Sequence, residues 1–260
     1  MPELPDVEAF RGVLRSCGQG HPVEKVDVRD AGVLRGVSAR RLRSGVEGHR
    51  FAEPRRHGKL LIAPLDDGPA VVWHFGMTGE LVAASADDPP HDHDRVVLTL
   101  DGGRQLRYRD QRKLQGIRFA EDEEAVAELE ADLGPDALDL DRTEFAELLA
   151  GRRGAVKSVL MDQSLIAGLG NLLSDEILWR ARIAPARPAK GLDEGEARGV
   201  YTAMRRVLAS AVRAGRVPPR RTWLTGRRDD ASPVCPRCGT ELCSGRVSGR
   251  RTVWCPNCQH

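Results

Sequence analysis

Cys235-Pro236-Arg237-Cys238, then sixteen residues, then Cys255-Pro256-Asn257-Cys258: two CxxC knuckles at this spacing read as a ribbon whose tight turns present four thiolates tetrahedrally to one zinc ion. Four protein ligands close the coordination shell, so the zinc is expected to be structural. A segment as short as 235–260 cannot build a core of its own, and metal binding then supplies most of its folding energy. Between the knuckles, the run Gly245-Arg246-Val247-Ser248-Gly249-Arg250-Arg251-Thr252-Val253-Trp254 reads as a β-hairpin with Arg250 near its tip. A fixed hairpin presenting arginine suits a phosphate contact; the plainer alternative is an exposed basic turn. Cys17 and Cys243 are left over and are expected to be free thiols.

Upstream of the ribbon, residues 219–234 read as a loop, and before it the pattern is helical. Phe145, Leu148 and Leu149 form one apolar stripe, Val156, Val159 and Leu160 a second, and Leu172, Leu173, Ile177 and Leu178 a third. Asp193-Glu194-Gly195-Glu196 opens a last long helix that Pro218-Pro219 ends, and Asp141 to Glu144 has the spacing of a capping box. Between the second and third stripes lies Asp162-Gln163-Ser164-Leu165-Ile166-Ala167-Gly168-Leu169-Gly170-Asn171. Its glycines allow positive φ and close approach of another backbone. A helix starting at Asn171 would turn its first amides toward a phosphate, with Lys157 adding charge. Glycine at such a place also ends helices for purely structural reasons.

Charge follows the same division. Residues 148–260 carry 20 Lys/Arg against nine Asp/Glu, whereas residues 121–147 carry one base against twelve acids. The net charge of +2 therefore hides a basic last third, as expected of a phosphate-binding surface. Only five lysines stand in this arginine-rich chain, Lys59 and Lys157 among them.

Residues 1–120 read as mostly β after a short helix from Asp6 to Leu14. Strands are expected at 23–28, 59–64, 70–75, 95–100 and 105–108, punctuated by Asp67-Gly68 and Asp101-Gly102-Gly103. That density of turns suggests a sandwich or barrel. No stretch is apolar enough to span a membrane, and the start has no basic and apolar signal-like region, so a cytoplasmic protein is expected. The division is 1–120, an acidic linker 121–140, a helical domain 141–232 and the ribbon 233–260.

Pro2 is small enough at the second position that Met1 is expected to be removed, leaving a secondary amine. Such an amine can attack the C1′ of a deoxyribose and form an iminium, with Glu3 as general acid and base. By itself Pro2 is more simply an ordinary start residue.

Taken together, the motifs resemble the formamidopyrimidine-DNA glycosylase / endonuclease VIII family. The resemblance rests on Pro2-Glu3-Leu4-Pro5-Asp6-Val7-Glu8, His57-Gly58-Lys59, His74-Phe75-Gly76-Met77-Thr78-Gly79, His91-Asp92-His93, the turn from Asp162 to Asn171 with Asp175-Glu176, and Gly249-Arg250-Arg251-Thr252 before the last knuckle. These follow one another along essentially the whole chain, and the start is closest to the formamidopyrimidine branch. The resemblance implies an α+β multidomain protein: an N-terminal β-sandwich with a leading helix, a helix–two-turn–helix domain and a C-terminal zinc-ribbon hairpin, working as a monomer on damaged double-stranded DNA. In a bacterial cytoplasm, DNA binding would associate it with the nucleoid. It implies catalytic roles for Pro2, Glu3, Lys59 and Arg250, and DNA contacts from His74, Met77, His91, Arg112, Lys157, Asn171 and Arg250. Met77 would fill the gap left by an extruded nucleotide and Arg112 would face the orphaned base. Glu176 would support the site internally.

The implied activity is that of a bifunctional DNA glycosylase and AP lyase of base excision repair, removing formamidopyrimidine/8-oxoguanine or oxidised pyrimidines and breaking the strand by β- or β,δ-elimination. Two features depart from the pattern. Leu114 stands in Asp110-Gln111-Arg112-Lys113-Leu114-Gln115 where an aromatic wedge is usual, and the segment from Val217 to Cys235 is short where a long glycine-rich loop is usual. Both leave the excised base open. The rival readings are a non-catalytic zinc-dependent DNA-binding or damage-sensing protein and a purely structural zinc protein, neither of which accounts for Pro2, Glu3 and Lys59.

Overall fold

A computed structural model describes residues 1–260. The chain forms two compact units: Met1–Pro2 with Asp6–Asp132, and Glu3–Pro5 with Leu133–His260.

The first unit holds two four-stranded antiparallel sheets. Its elements are helix α1 (Leu4–Cys17, beginning in the second unit), strand β1 (Val23–Val28), helix α2 (Ala39–Val46), strands β2 (Arg55–His57), β3 (Leu60–Pro64), β4 (Ala70–His74), β5 (Glu80–Ser85), β6 (Asp94–Leu100), β7 (Arg104–Arg109) and β8 (Gly116–Ala120), and helix α3 (Glu123–Glu130). The sheet orders are β1-β6-β7-β5 and β2-β3-β4-β8. Val26, Val96, Leu98, Leu106 and Tyr108 from one sheet and Leu61, Val71, Trp73 and Ile117 from the other share one core, which Val7 and Leu14 of α1 and Leu42 of α2 complete. The valines of β1 and the alternation of Leu106 and Tyr108 along β7 mark those strands in the sequence. By contrast β2 is only three residues long, and β5 is partly exposed and alanine-rich, so neither carries a pattern.

Part of the acidic stretch read as a linker is helical. Glu123–Glu130 is a helix whose N-cap, Asp122, accepts from the Ala125 amide. Its Glu130 holds His57 at 2.9 Å and Arg55 at 3.2 Å, so the acids that looked like linker composition belong to the first unit, which ends at Asp132.

In the second unit stand α4 (Arg142–Leu149), α5 (Val156–Met161), α6 (Asn171–Ala181), α7 (Glu194–Ala214) and the hairpin β9 (Cys243–Val247)–β10 (Arg250–Trp254). Asp141 and Asp193 open α4 and α7 with the expected capping boxes. Gly215, left-handed at φ 67°, ends α7 before the Pro218-Pro219 pair is reached. The three apolar stripes and the inner face of α7 converge on one core that includes Phe145, Leu160, Ile177, Met204 and Leu208. Leu4, from the far end of the sequence, is fully buried in it. A smaller cluster under the hairpin contains Trp179, Leu224, Leu242, Val253 and three of the ribbon cysteines. No helix is long and apolar enough to cross a membrane.

Candidate active site and nucleic-acid interface

The glycine turn before α6 receives the amino-terminal segment. The Leu4 amide donates to the Gly168 carbonyl at 3.1 Å. A Cβ at Gly168 would lie 2.5 Å from the Leu4 side chain, and one at Gly170 would lie 2.3 Å from the Glu3 carboxyl carbon. Gly168 also sits at φ +108°. The close approach anticipated from the glycines is therefore made by residues 3 and 4 of the same chain.

Glu3 is fully buried, and its carboxylate accepts from three amides: Gly170 at 3.0 Å, Leu172 at 2.8 Å and Leu173 at 3.1 Å. Three donors at the positive end of a helix stabilise a carboxylate anion. This corrects the expectation that the first amides of α6 would face a phosphate: Glu3 takes them. What Asn171 offers instead is its side-chain amide, whose Oδ1 is buried with no hydrogen-bond partner. Pro2 is half-buried and lies, by chain continuity, one residue from this anchored carboxylate.

Lys157 is a second correction. It was expected on the DNA-facing surface but is wholly buried, with Nζ 2.6 Å from Asp175 Oδ1. The ammonium also donates to the Arg251 carbonyl at 3.1 Å and to Thr252 Oγ1 at 2.7 Å. Arg228 reaches the other oxygen of Asp175 at 3.0 Å. Burial pushes the Lys157 ammonium below its ordinary pKa, and Asp175 opposes that shift. The lysine thus ties α5 and α6 to the hairpin that carries Arg250. Arg250 itself is exposed just after Ser248 (φ 46°) and Gly249 (φ 76°), a turn that Ser158 Oγ holds through Ser248 Oγ at 2.6 Å.

Glu176, on the next helical position, is also buried. It accepts from Arg180 at 2.8 Å and from the Thr225 amide at 3.2 Å, and burial raises its pKa to about 7.

In the first unit, Lys59 stands in the β2–β3 turn beside Gly58 (φ 56°). Leu60 next to it pairs across the sheet with His74, which brings the lysine near that imidazole. Burial, with Lys59 and Arg118 adding, lowers His74 to about 4. His74 is therefore neutral at physiological pH. Its Nδ1 accepts from the Gly76 amide at 3.0 Å, which leaves the ring proton on Nε2 as an uncharged donor.

Met77 and Arg112 come from different loops and are laced together. Thr78 Oγ1 donates to Asp110 at 2.6 Å and accepts from the Arg112 amide at 3.0 Å, and the Arg112 guanidinium lies 3.0 Å from the Met77 sulfur. Met77 is 38% exposed and Leu114 is 49% exposed, among the few large apolar side chains left in water. Met77 is therefore not a core methionine. His91 is exposed before β6, its Nδ1 accepting from the His93 amide at 3.1 Å.

Cys235, Cys238, Cys255 and Cys258 place their sulfurs within 4.8 Å of one another, with pairs at 3.4, 3.6 and 4.0 Å. A tetrahedral ion with Zn–S bonds of about 2.3 Å requires sulfurs about 3.8 Å apart. The cluster fits such an ion. Cys243 lies outside it, at the start of β9, and Cys17 lies in the first unit.

Sequence reasoning missed the buried Arg228 and the anchoring of Glu3 by α6. Nothing local to either residue announces a partner more than fifty positions away.

Residues 1–117 match the formamidopyrimidine-DNA glycosylase N-terminal domain and residues 133–220 the formamidopyrimidine-DNA glycosylase H2TH domain. The formamidopyrimidine-DNA glycosylases of Desulfitobacterium hafniense and a Roseiflexus species are 34% and 35% identical to the chain, each over 273 residues and the full length of both proteins. Among solved structures, the Lactococcus lactis enzyme with an AP-site-containing DNA superposes with a TM-score of 0.87 at 28% identity. Its G226P mutant, in complex with a Fapy-dG-containing DNA, does so at 0.90 and 27%; each comparison covers all of both chains. The chain belongs to the formamidopyrimidine-DNA glycosylase family.

Proposed function

We infer that the chain is a DNA glycosylase of base excision repair with AP lyase activity, and that the Pro2 imino nitrogen is its nucleophile. The observation that carries the assignment to Pro2 is the clasp on its neighbour: three amides of α6 hold the Glu3 carboxylate, so the amine beside it is presented by a rigid element. Pro2 attacks C1′ of an extruded deoxynucleotide as the base leaves, and an iminium forms. Glu3 relays protons during sugar opening. The iminium acidifies the C2′ proton; its loss breaks the 3′ phosphate bond by β-elimination, and a δ-elimination can follow at the 5′ side. Lys59 and the neutral His74 bind phosphate near the lesion, Asn171 and Arg250 bind its flanking phosphates, and His91 adds a backbone contact. Met77 fills the vacated stack while Arg112 faces the orphaned base. Cys235, Cys238, Cys255 and Cys258 would hold one zinc ion, whose role would be to fix the hairpin that carries Arg250.

The base removed follows from the short segment between α7 and the ribbon. Residues 218–234 make a series of turns with Trp223, Leu224 and Arg228 buried, and a Cβ on Gly226 would lie 2.0 Å from the Arg220 carbonyl oxygen. Pinned this way, the segment is poorly suited to closing over a purine. A preference for formamidopyrimidines, oxidised pyrimidines or abasic sites over 8-oxoguanine is expected; equal excision rates opposite cytosine would refute it.

Borohydride reduction in the presence of an abasic-site duplex tests the nucleophile. A covalent adduct is expected with the wild type and none with Pro2→Gly or with protein retaining Met1. Duplex binding without any wild-type adduct would make the chain a non-catalytic damage-binding protein.

A further inference from the structure

A second basic site lies at the other end of α6. The helix runs from Asn171 to Ala181, so its two ends are about 15 Å apart at 1.5 Å per residue. Beyond its carboxyl end opens a cavity of about 560 Å³ lined by Arg180, Arg182, Arg198, Arg206 and Arg237. Gly195, Gly199 and Ala203, one face of α7, leave room along its wall. No Asp or Glu lines it. Arg180 alone has an ion-pair partner, Glu176; Glu194, one turn before Arg198, makes no pair with it, and Glu196 is held by Arg187.

Two of these cations, Arg180 and Arg237, stack on indole rings, while Arg182, Arg198 and Arg206 are exposed. The Arg180 guanidinium lies 4.7 Å from the Trp223 ring and 5.6 Å from Trp179, and Arg237 lies 4.5 Å from Trp179. Two like charges therefore share one indole, an arrangement that an anion would relieve. Arg182 occupies the left-handed C-cap of α6 at φ 66°, where glycine or asparagine is the cheaper residue. Its backbone is fixed on both sides, the amide donating to the Leu178 and Trp179 carbonyls and the carbonyl accepting from the His260 amide at 3.0 Å. Arginine near a helix carboxyl end has an ordinary role against the dipole, which accounts for Arg180 and Arg182. It does not account for Arg198 and Arg206, which come from the second and fourth turns of another helix, away from its carboxyl end.

We propose that this cavity is a docking site for an acidic, carboxylate-rich peptide segment of a partner protein, separate from the DNA surface. Guanidinium groups bind carboxylates through paired, charge-assisted hydrogen bonds. The cavity opens at the end of α6 opposite Asn171, the residue assigned to the DNA, so an anion bound there need not belong to the duplex. A flexible acidic segment can fold into the cavity.

Fluorescein-labelled deca-glutamate is titrated, with anisotropy readout, into the zinc-loaded full chain saturated with a duplex bearing a reduced abasic site. Saturable binding is expected, weakened at least tenfold by the exposed pair Arg198→Glu and Arg206→Glu, with thermal midpoint and borohydride adduct unchanged. Arg182→Gly, which removes a cation and suits the local φ, is expected to weaken it several-fold and serves if the double variant is unstable. Absence of saturable binding, binding indifferent to these substitutions, or binding lost whenever duplex is present overturns the proposal. So does an oligothymidylate that binds in the peptide's place with the same dependence on Arg198 and Arg206.

Discussion

Gly170 stands where the smallest change meets the chemistry most directly. Its missing Cβ leaves the space that the Glu3 carboxyl occupies, so Gly170→Ala must displace either the carboxylate or the start of α6. A shift near 1 Å in a reacting group costs about 100-fold in rate. The variant is expected to keep its fold and duplex binding while the single-turnover rate of borohydride adduct formation falls by about that factor; a wild-type rate would detach Glu3 from the reaction. Glu176 supplies a pH dependence. Its folded pKa of about 7 lies above its ordinary value of 4.5, so the native state holds the proton more tightly than the unfolded chain. The resulting stability is full below about pH 4.5 and is lost as pH rises through 7, amounting to at most about 3 kcal/mol. Denaturant midpoints measured from pH 5 to 8 should fall in the wild type and flatten in Glu176→Gln. Parallel curves for the two proteins would contradict the assignment.

At the scale of elements, the decisive connection is between α5, α6 and the hairpin. Lys157 forms an ion pair with Asp175 and donates to the Arg251 carbonyl and Thr252, with Arg228 on the second oxygen of Asp175. Removing one partner of a buried pair leaves an uncompensated charge and costs about 3–5 kcal/mol. Lys157→Ala is therefore expected to lower stability by that amount in urea unfolding. Weaker duplex binding should accompany it even though the lysine touches no DNA, because the strand carrying Arg250 is released. Arg250→Ala is expected to leave stability unchanged and reduce the salt slope of duplex binding by about 1. An unchanged slope would remove Arg250 from the phosphate contacts.

Over the whole molecule, the two units have separate cores, and the metal cluster belongs to only one of them. Chelation is expected to disorder the ribbon first. Trp179 donates to Cys235 Sγ at 3.4 Å, and Trp254 closes the hairpin opposite Cys243, so tryptophan emission should shift red on metal removal. Trp73, buried between the sheets of the first unit, should retain its blue emission until that unit unfolds. A single transition shared by all four tryptophans would contradict the division.

How much of this was legible in the sequence depended on the range of the interaction. Period-two and period-3.6 patterns, capping boxes and the CxxC spacing are set by neighbours within a few residues, so β1, β7, α4, α7 and the ribbon could be read directly. The ordered motifs also placed the chain in its family. Tertiary structure alone decided that the amides of α6 serve Glu3, that Lys157 is internal, and that Asp122 caps a helix of the first unit whose Glu130 holds Arg55 and His57. A carboxylate or ammonium in a linear sequence carries no mark of its partner. Whether it faces water, phosphate or an opposite buried charge is fixed only when distant segments pack and desolvation makes one pairing far cheaper than the others.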